Sequence, residues 1–368
     1  MTLFGILAIV VGVAVIAFML FDVFQAVVLP RASSIRFRIS ARIVRTTWPL
    51  WTSIALRIGN SEKREDFLGT FAPLALIAFL FVWGLGCIVG YGLVLYGLRM
   101  QLHPIANFGD AVYLAGTSFL TIGYGDIVPV GGLSRAIALA AGASGFAIVA
   151  ITTTFLFSLF AAFQARENFV VAFGARAGSP PSGVTLLESY ARYGVSHDLD
   201  DVFGEGMRWS AMVLETHIAY PILAYFRSSH DYESWIAAIG ALLDAATLKL
   251  ALVDDGPPGH AKFFNTLGRH LVHDLATYFN LSGNSDPGVE RYEFDNARKR
   301  LQDAGLKVRD GDEAWRKFAD MRGQYAPSLN AMASYWRIPP AQWIGDRSFL
   351  RDPHGTAADR ERTAVGVG

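Results

Sequence analysis

The chain has 368 residues, 52% of them hydrophobic, with 32 Lys/Arg balanced by 32 Asp/Glu and a positive mean hydropathy. It is too apolar for an average soluble domain and too long for a bare membrane hairpin, so a membrane half and a soluble half are expected. Residues 165–368 hold 22 basic and 26 acidic residues without a basic stripe, which argues against a nucleic-acid partner, and the single cysteine, Cys87, excludes an intrachain disulfide and thiolate zinc sites.

In chain order, Thr2 to Phe21 is an apolar run of about the 20 residues that cross a bilayer as a helix, continuing through Asp22 to Leu29 before Pro30 and Arg31. Positive charge follows this run instead of preceding it, so it reads as a retained helix and not a cleaved signal peptide. Residues 31–66 carry Arg31, Arg36, Arg38, Arg42, Arg45, Arg57, Lys63 and Arg64 against Glu62, Glu65 and Asp66. The positive-inside rule makes this connection cytoplasmic and puts the N-terminus outside. Ile35, Ile39 and Ile43 recur every four residues between arginines, with Trp48 and Trp51 after them, which predicts a helix lying in the inner interface.

Leu68 to Leu98 is a second spanning run, longer than the ~30 Å hydrocarbon core requires, so it should tilt or project. Asn107 to Leu120 is too short to span. It predicts a re-entrant helix, because irregular backbone at membrane depth survives only inside protein or beside water. The carbonyl end of such a helix favours a cation. Gly132 or Leu133 to Phe163 is the third span, returning the chain to the cytoplasm. The plan is therefore a multi-pass protein of the cell (inner) membrane: an N-terminal helix (1–30), a basic interfacial segment (31–67), a pore region (68–164) and a cytoplasmic domain (165–368).

From about Arg166 the pattern becomes helices separated by Gly178-Ser179-Pro180-Pro181, Gly256-Pro257-Pro258-Gly259 and Ser282-Gly283-Asn284-Ser285-Asp286-Pro287, the last with Asp286 as an N-cap. Strand signals are scarce, so the fold class is all-α: a membrane pore followed by a soluble helical domain. Trp235 to Val253 is nearly apolar enough for a fourth span. Asp244 and Lys249 within it, and Glu215 with His217 in the preceding helix, favour a buried helix of the soluble domain.

The densest chemical signal is Thr121-Ile122-Gly123-Tyr124-Gly125-Asp126, preceded by the re-entrant segment and followed by Pro129. Glycines at 123 and 125 can take positive φ, so successive carbonyls can turn to one side instead of alternating as in a strand. Oxygens aligned in that way can replace the water shell of a cation. With its flanking apolar runs, the hexad resembles the selectivity filter of prokaryotic potassium channels, and the resemblance covers residues 68–163. It implies K⁺ as the permeant ion, with no other cofactor. The carbonyls of Thr121, Ile122, Gly123 and Tyr124 and the Thr121 hydroxyl are then the ion ligands, and Gly125 and Asp126 the outer mouth. Tyr113, eight residues before Thr121, matches the aromatic residue that braces the filter. Leu120 stands where many members have threonine and Thr117 where some have glutamate, so the hydrogen bonds behind the filter should differ.

One filter per chain cannot enclose an ion, so a homotetramer in the lipid bilayer follows. The third helix should line the cavity. Gly142 and Gly145, with Ala140, Ala141 and Ser144, serve either as a hinge or as a close-packing surface. One or two of Phe155, Phe157, Phe160 and Phe163 can form a dewetting gate. Asp22 is costly in lipid, and is read either as functional or as an inner-boundary residue paired with an arginine of the next segment, the second being favoured. His270 and His273, with Asp274, can share a face with His217 or Glu215 to hold a metal, although helical histidines at this spacing more often lie on the surface or in a satisfied core. No voltage-sensor arginine pattern, dinucleotide-binding glycine motif or catalytic triad is present, so the tail is expected to serve assembly or gating, through a cytoplasmic ligand or protein that the residues do not name. The rival readings are a subunit of a potassium uptake transporter and an enzyme or sensor tail with an ancillary pore. The single full motif disfavours the first, and no catalytic set supports the second.

Overall fold

The computed structural model describes residues 2–29, 39–230, 232–254, 259–281 and 289–345. The chain divides into two units, Met1–Ala161 and Ala162–Gly368, and is all-α apart from two two-residue strands and isolated bridges among the described residues.

In the first unit α1 (Leu3–Val23) is capped by Thr2, whose hydroxyl accepts from the Gly5 N–H, and runs on into a π-helical turn, Phe24–Val28. After the connection come α2 (Ile39–Ala55), α3 (Ser61–Gly69) and α4 (Phe71–Gly97). The Ile35 start predicted for the interfacial helix, with Pro30, Arg31, Arg36 and Arg38, lies outside the described residues. α1 and α4 approach each other through glycines: a Cβ on Gly12 would stand 2.6 Å from the Gly90 carbonyl oxygen, and one on Gly97 2.6 Å from that of Gly5. Backbones this close exclude any larger residue. α2 runs through Pro49, although an interior proline costs about 3 kcal/mol. Burial of the opposite face offsets this: Val44, Trp48, Thr52 and Ala55 are covered, and the Trp48 ring lies 4.8 Å from that of Phe71.

Strand β1 (Leu102–His103), α5 (Phe108–Phe119) and β2 (Val128–Pro129) follow, with β1 antiparallel to β2. α6 (Gly132–Ala177) continues well past the expected end at Phe163. Apolar composition ends near Phe163, but the helix continues, through Gly174, to Gly178, whose φ of 87° is left-handed, and the prolines after it. Three helices among the described residues are long and apolar enough to cross a membrane: Leu3–Val27, Ser61–Gly97 and Gly132–Ala177.

The second unit holds the end of α6, then α7 (Gly183–Arg192), α8 (Leu199–Ala219), α9 (Trp235–Ala251), α10 (Gly259–Tyr278), α11 (Arg291–Asp303), α12 (Gly311–Gly323) and α13 (Ala326–Tyr335). α9 is its core: it is buried on nearly every side and packs against α7, α10, α12 and α13. Its one carboxylate is matched, since Asp244 Oδ1 accepts from Arg322 Nε at 3.0 Å and from the Tyr325 hydroxyl at 2.6 Å. The residues that set this helix apart from a membrane span are thus bound inside the unit. The 178–181 break separates α6 from α7; residues 256–258 and 282–287, including the Asp286 cap, lie outside the described residues.

Candidate ion-conduction site

The loop is built from its ends inward. The β1–β2 pair closes its base, and Gln101 clasps it. Its carbonyl accepts from Val130 N (2.9 Å) and the Ser134 hydroxyl (3.1 Å), and its side-chain oxygen accepts from Ser134 N (3.3 Å). Ser134 is wholly buried. α5 starts at a reciprocal cap in which Asn107 Oδ1 accepts from Asp110 N at 3.0 Å and Asp110 Oδ2 from Asn107 N at 2.9 Å. Such a box satisfies two otherwise orphaned donors. The buried face of α5, Ala111, Leu114, Ala115 and Phe119, packs toward α4.

At the other end of α5 the carbonyl of Thr117 accepts from Ile122 N at 2.8 Å and Gly123 N at 3.3 Å. The last carbonyls of a helix lack intrahelical partners, and here one of them gathers the N–H groups of the following segment. Thr121, Gly123 and Gly125 have φ of 57°, 63° and 81°, so every second residue is left-handed and the peptide planes leave strand alternation. Glycine was expected at two of these positions. The third is a β-branched threonine, for which this conformation costs of order 1–3 kcal/mol. No carbonyl of Thr121, Ile122, Gly123 or Tyr124 accepts a hydrogen bond from the described residues, and all four residues are exposed on the single chain. The Tyr113 ring stacks on Tyr124, 6.3 Å between centroids and 5° between planes. Thr117 turns its hydroxyl back to the Leu114 carbonyl at 3.1 Å, and Leu120 is exposed, so neither side chain hydrogen-bonds the segment from behind.

α6 meets the end of α5 at small residues. A Cβ on Gly145 would collide with the Phe119 carbonyl, and one on Gly142 would come within 3.3 Å of the Ser118 carbonyl. The Tyr91 hydroxyl bonds Ser144 Oγ (2.7 Å) and the Ala140 carbonyl (3.2 Å). The helix is continuous here, and its small residues let it approach the end of α5 closely. Of the four phenylalanines, Phe157 and Phe160 are exposed on the single chain and Phe155 is half-buried; Phe163 packs on Phe226 in the second unit.

Asp22 is 1% exposed. Its Oδ2 accepts from the indole N–H of Trp83 at 2.7 Å and its Oδ1 from the backbone N–H of Ile39 at 2.8 Å. Among the described residues no arginine donates to it; Arg31, Arg36 and Arg38 of the segment expected to supply one lie outside them. Among the described residues, neutral donors from α2 and α4 bind the carboxylate.

The second unit holds a buried polar group that the sequence reading did not single out. Arg166 is fully buried; it binds Glu167 Oε1 (2.9 Å) and the carbonyls of Leu223 and Phe226 (both 2.9 Å), with His217 Nε2 at 3.3 Å. Glu167 also accepts from the Ser228 hydroxyl. The adjacent Arg-Glu pair at the end of an apolar run was the available signal. Both ring nitrogens of His217 are engaged, the second by the Val213 carbonyl at 2.8 Å, while His270, His273 and Asp274 are exposed on α10. The face proposed for a metal is therefore not formed, and no group of three His, Cys, Asp or Glu suited to a metal occurs among the described residues.

Residues 76–162 match a family model described as "Ion channel". The chain is 25% identical over 207 residues to "Uncharacterized membrane protein YdjJ" of Bacillus subtilis (strain 168), a match that covers 54% of this chain and 58% of the relative. It thus spans just over half of that relative's length. No solved structure matches it. The chain is a membrane protein that carries an ion channel domain.

Proposed function

We propose that four copies of this chain form a potassium-selective channel. One observation carries the reading: the Thr117 carbonyl draws the N–H groups of Ile122 and Gly123 to one side, and the carbonyls of residues 121–124 are left without donors among the described residues. An enclosed carbonyl without a partner costs about 1–3 kcal/mol, and a dehydrated cation supplies what is missing. In this reading the carbonyls of Thr121, Ile122, Gly123 and Tyr124 and the Thr121 hydroxyl exchange for the hydration shell of K⁺. Gly125 and Asp126 form the outer mouth, and Tyr113 holds Tyr124 at its spacing. α6 lines the cavity below. The N-terminus lies outside, and the domain from 165 onward is cytoplasmic.

Purified protein in vesicles loaded with KCl should take up Rb⁺ but little Na⁺, with block by Ba²⁺, and cross-linking should stop at four chains. Gly123→Ala, which puts a Cβ on a residue with φ of 63°, should abolish uptake or remove its selectivity. Equal Rb⁺ and Na⁺ uptake by the unaltered protein, or a selective Gly123→Ala, would refute the reading.

The buried Arg166 group offers a handle on gating, because α6 passes unbroken from the pore region to Arg166. The cytoplasmic domain biases opening through that helix, by no more than its free-energy difference between closed and open states. Arg166→Gln should then alter open probability and leave the reversal potential unchanged. An unaltered open probability would make the domain an assembly module only.

A further inference from the structure

The connection between the first two candidate spans is itself built. α2 lies in the chain between α1 and the α3–α4 pair, so connectivity holds it beside the apolar slab that α1 and α4 are read as crossing. Two contacts fix it there: the bond from Ile39 N–H to Asp22 near the end of α1, and the packing of Trp48 on Phe71, the first residue of α4. Trp51 adds a third, stacking on Phe67 and donating its indole N–H to the Phe67 carbonyl at 3.1 Å.

With one face of α2 buried by these contacts, the remaining surface divides in two. At about 100° per residue, Leu50 and Ile54 fall on one flank with Ile43, and they are 64% and 42% exposed. Arg45 falls on the opposite flank, and Arg57 follows the helix end; both are exposed, and neither forms an ion pair among the described residues. From Ile39 to Asn60 there is no Asp or Glu. An exposed apolar edge on α2, with basic residues on its other flank and just past its end, matches a single kind of surface: acyl chains bordered by headgroups of net negative charge.

We propose that α2 is a docking surface for anionic phospholipid. Leu50 and Ile54 lie against the acyl chains, while the guanidinium groups of Arg45 and Arg57 bind headgroup phosphate, whose geometry suits a planar fork of donors. The inference does not depend on which ion the pore passes. Each arginine near an anionic surface multiplies relative occupancy about five-fold, so the pair is worth about thirty-fold.

The test uses the purified full-length protein in mild detergent, titrated with phosphatidylglycerol or phosphatidylcholine, with bound lipids counted by native mass spectrometry. The unaltered protein should prefer phosphatidylglycerol. Arg45→Gln with Arg57→Gln should remove about thirty-fold of that preference at unchanged melting temperature, and Arg192→Gln on α7 should leave it intact. Leu50→Ser with Ile54→Ser should weaken both lipids alike. Should the double glutamine variant fail to fold, raising salt to about 1 M on the unaltered protein, where screening acts over ~3 Å, should collapse the preference. Equal binding of the two lipids, a glutamine variant that keeps the preference, or a preference indifferent to salt would overturn the proposal.

Discussion

Acidification from about pH 7.5 to about pH 5 should loosen the second unit through one side chain, His217. It is wholly buried, with its ring centroid 4.6 Å from that of Trp235. Its Nδ1 faces the Val213 carbonyl at 2.8 Å, which can only accept, so the proton resides on Nδ1. Nε2 faces Arg166 Nη1 at 3.3 Å, which can only donate, so it stays bare. Burial first, and then the Arg166 charge, hold the His217 pKa down at about 3 against an ordinary 6.5, with the Val213 bond working in the opposite direction. The folded pKa lies below the unfolded one, so the unfolded chain takes the proton first. Stability is fully present above about pH 6.5 and falls as pH drops through the window toward about 3. At ~1.4 kcal/mol per pH unit the whole window is worth about 5 kcal/mol, of which about 2 kcal/mol is lost by pH 5. Hydrogen exchange of amides in α8 and α9, corrected for intrinsic rates, reads that opening free energy locally. His217→Gln carries no proton to gain and should lose about 2 kcal/mol less than the unaltered protein over the same interval. Equal losses in the two proteins would mean that His217 does not carry the acid sensitivity.

Further substitutions probe the packing and the buried polar contacts. Gly145→Ala should lower the melting temperature of the purified protein, by about 1–3 kcal/mol of stability, because its methyl meets the Phe119 carbonyl, whereas Gly142→Ala has more room; an unchanged Gly145→Ala melt would contradict the close approach of α6. Asp22→Asn must point its amide nitrogen at one of two donors, Trp83 Nε1 or Ile39 N, and should cost about 1–3 kcal/mol in a denaturation series; a neutral result would mean that the carboxylate is not the acceptor for both. Asp244→Ala strands Arg322, whose side chain is 3% exposed, and should cost about 3–5 kcal/mol, while the paired change with Arg322→Met should recover most of it; additive losses would exclude the buried pair.

The long apolar helices were legible because bilayer thickness sets a length that composition alone reveals, and the left-handed turns of the 121–125 loop because glycine at 123 and 125 has a backbone reason that survives without context. α9 was legible through Asp244 and Lys249, charges that lipid would not tolerate. What was not legible depends on partners distant in sequence. Asp22 meets Trp83 across 61 residues and Arg166 meets His217 across 51, and no local pattern points to either partner. The overrun of α6 to Ala177 escaped a hydropathy reading because composition changes at Phe163 while helix phase does not: Phe169, Val170, Phe173 and Ala177 remain buried at helical spacing. Spacing left Gly142 and Gly145 between hinge and contact, and the proximity of the Phe119 carbonyl favours contact. Pro49 marks a local preference overridden, since the burial of Trp48 and its neighbours outweighs one missing hydrogen bond.

Selection of potassium by the carbonyls of residues 121–124 is the central claim about this protein. Single-channel currents of the purified protein in planar bilayers, with KCl on one side exchanged stepwise for NaCl, measure this directly. The reversal potential should track the potassium gradient at every step, and a reversal potential that stays at zero through the exchange would contradict the account.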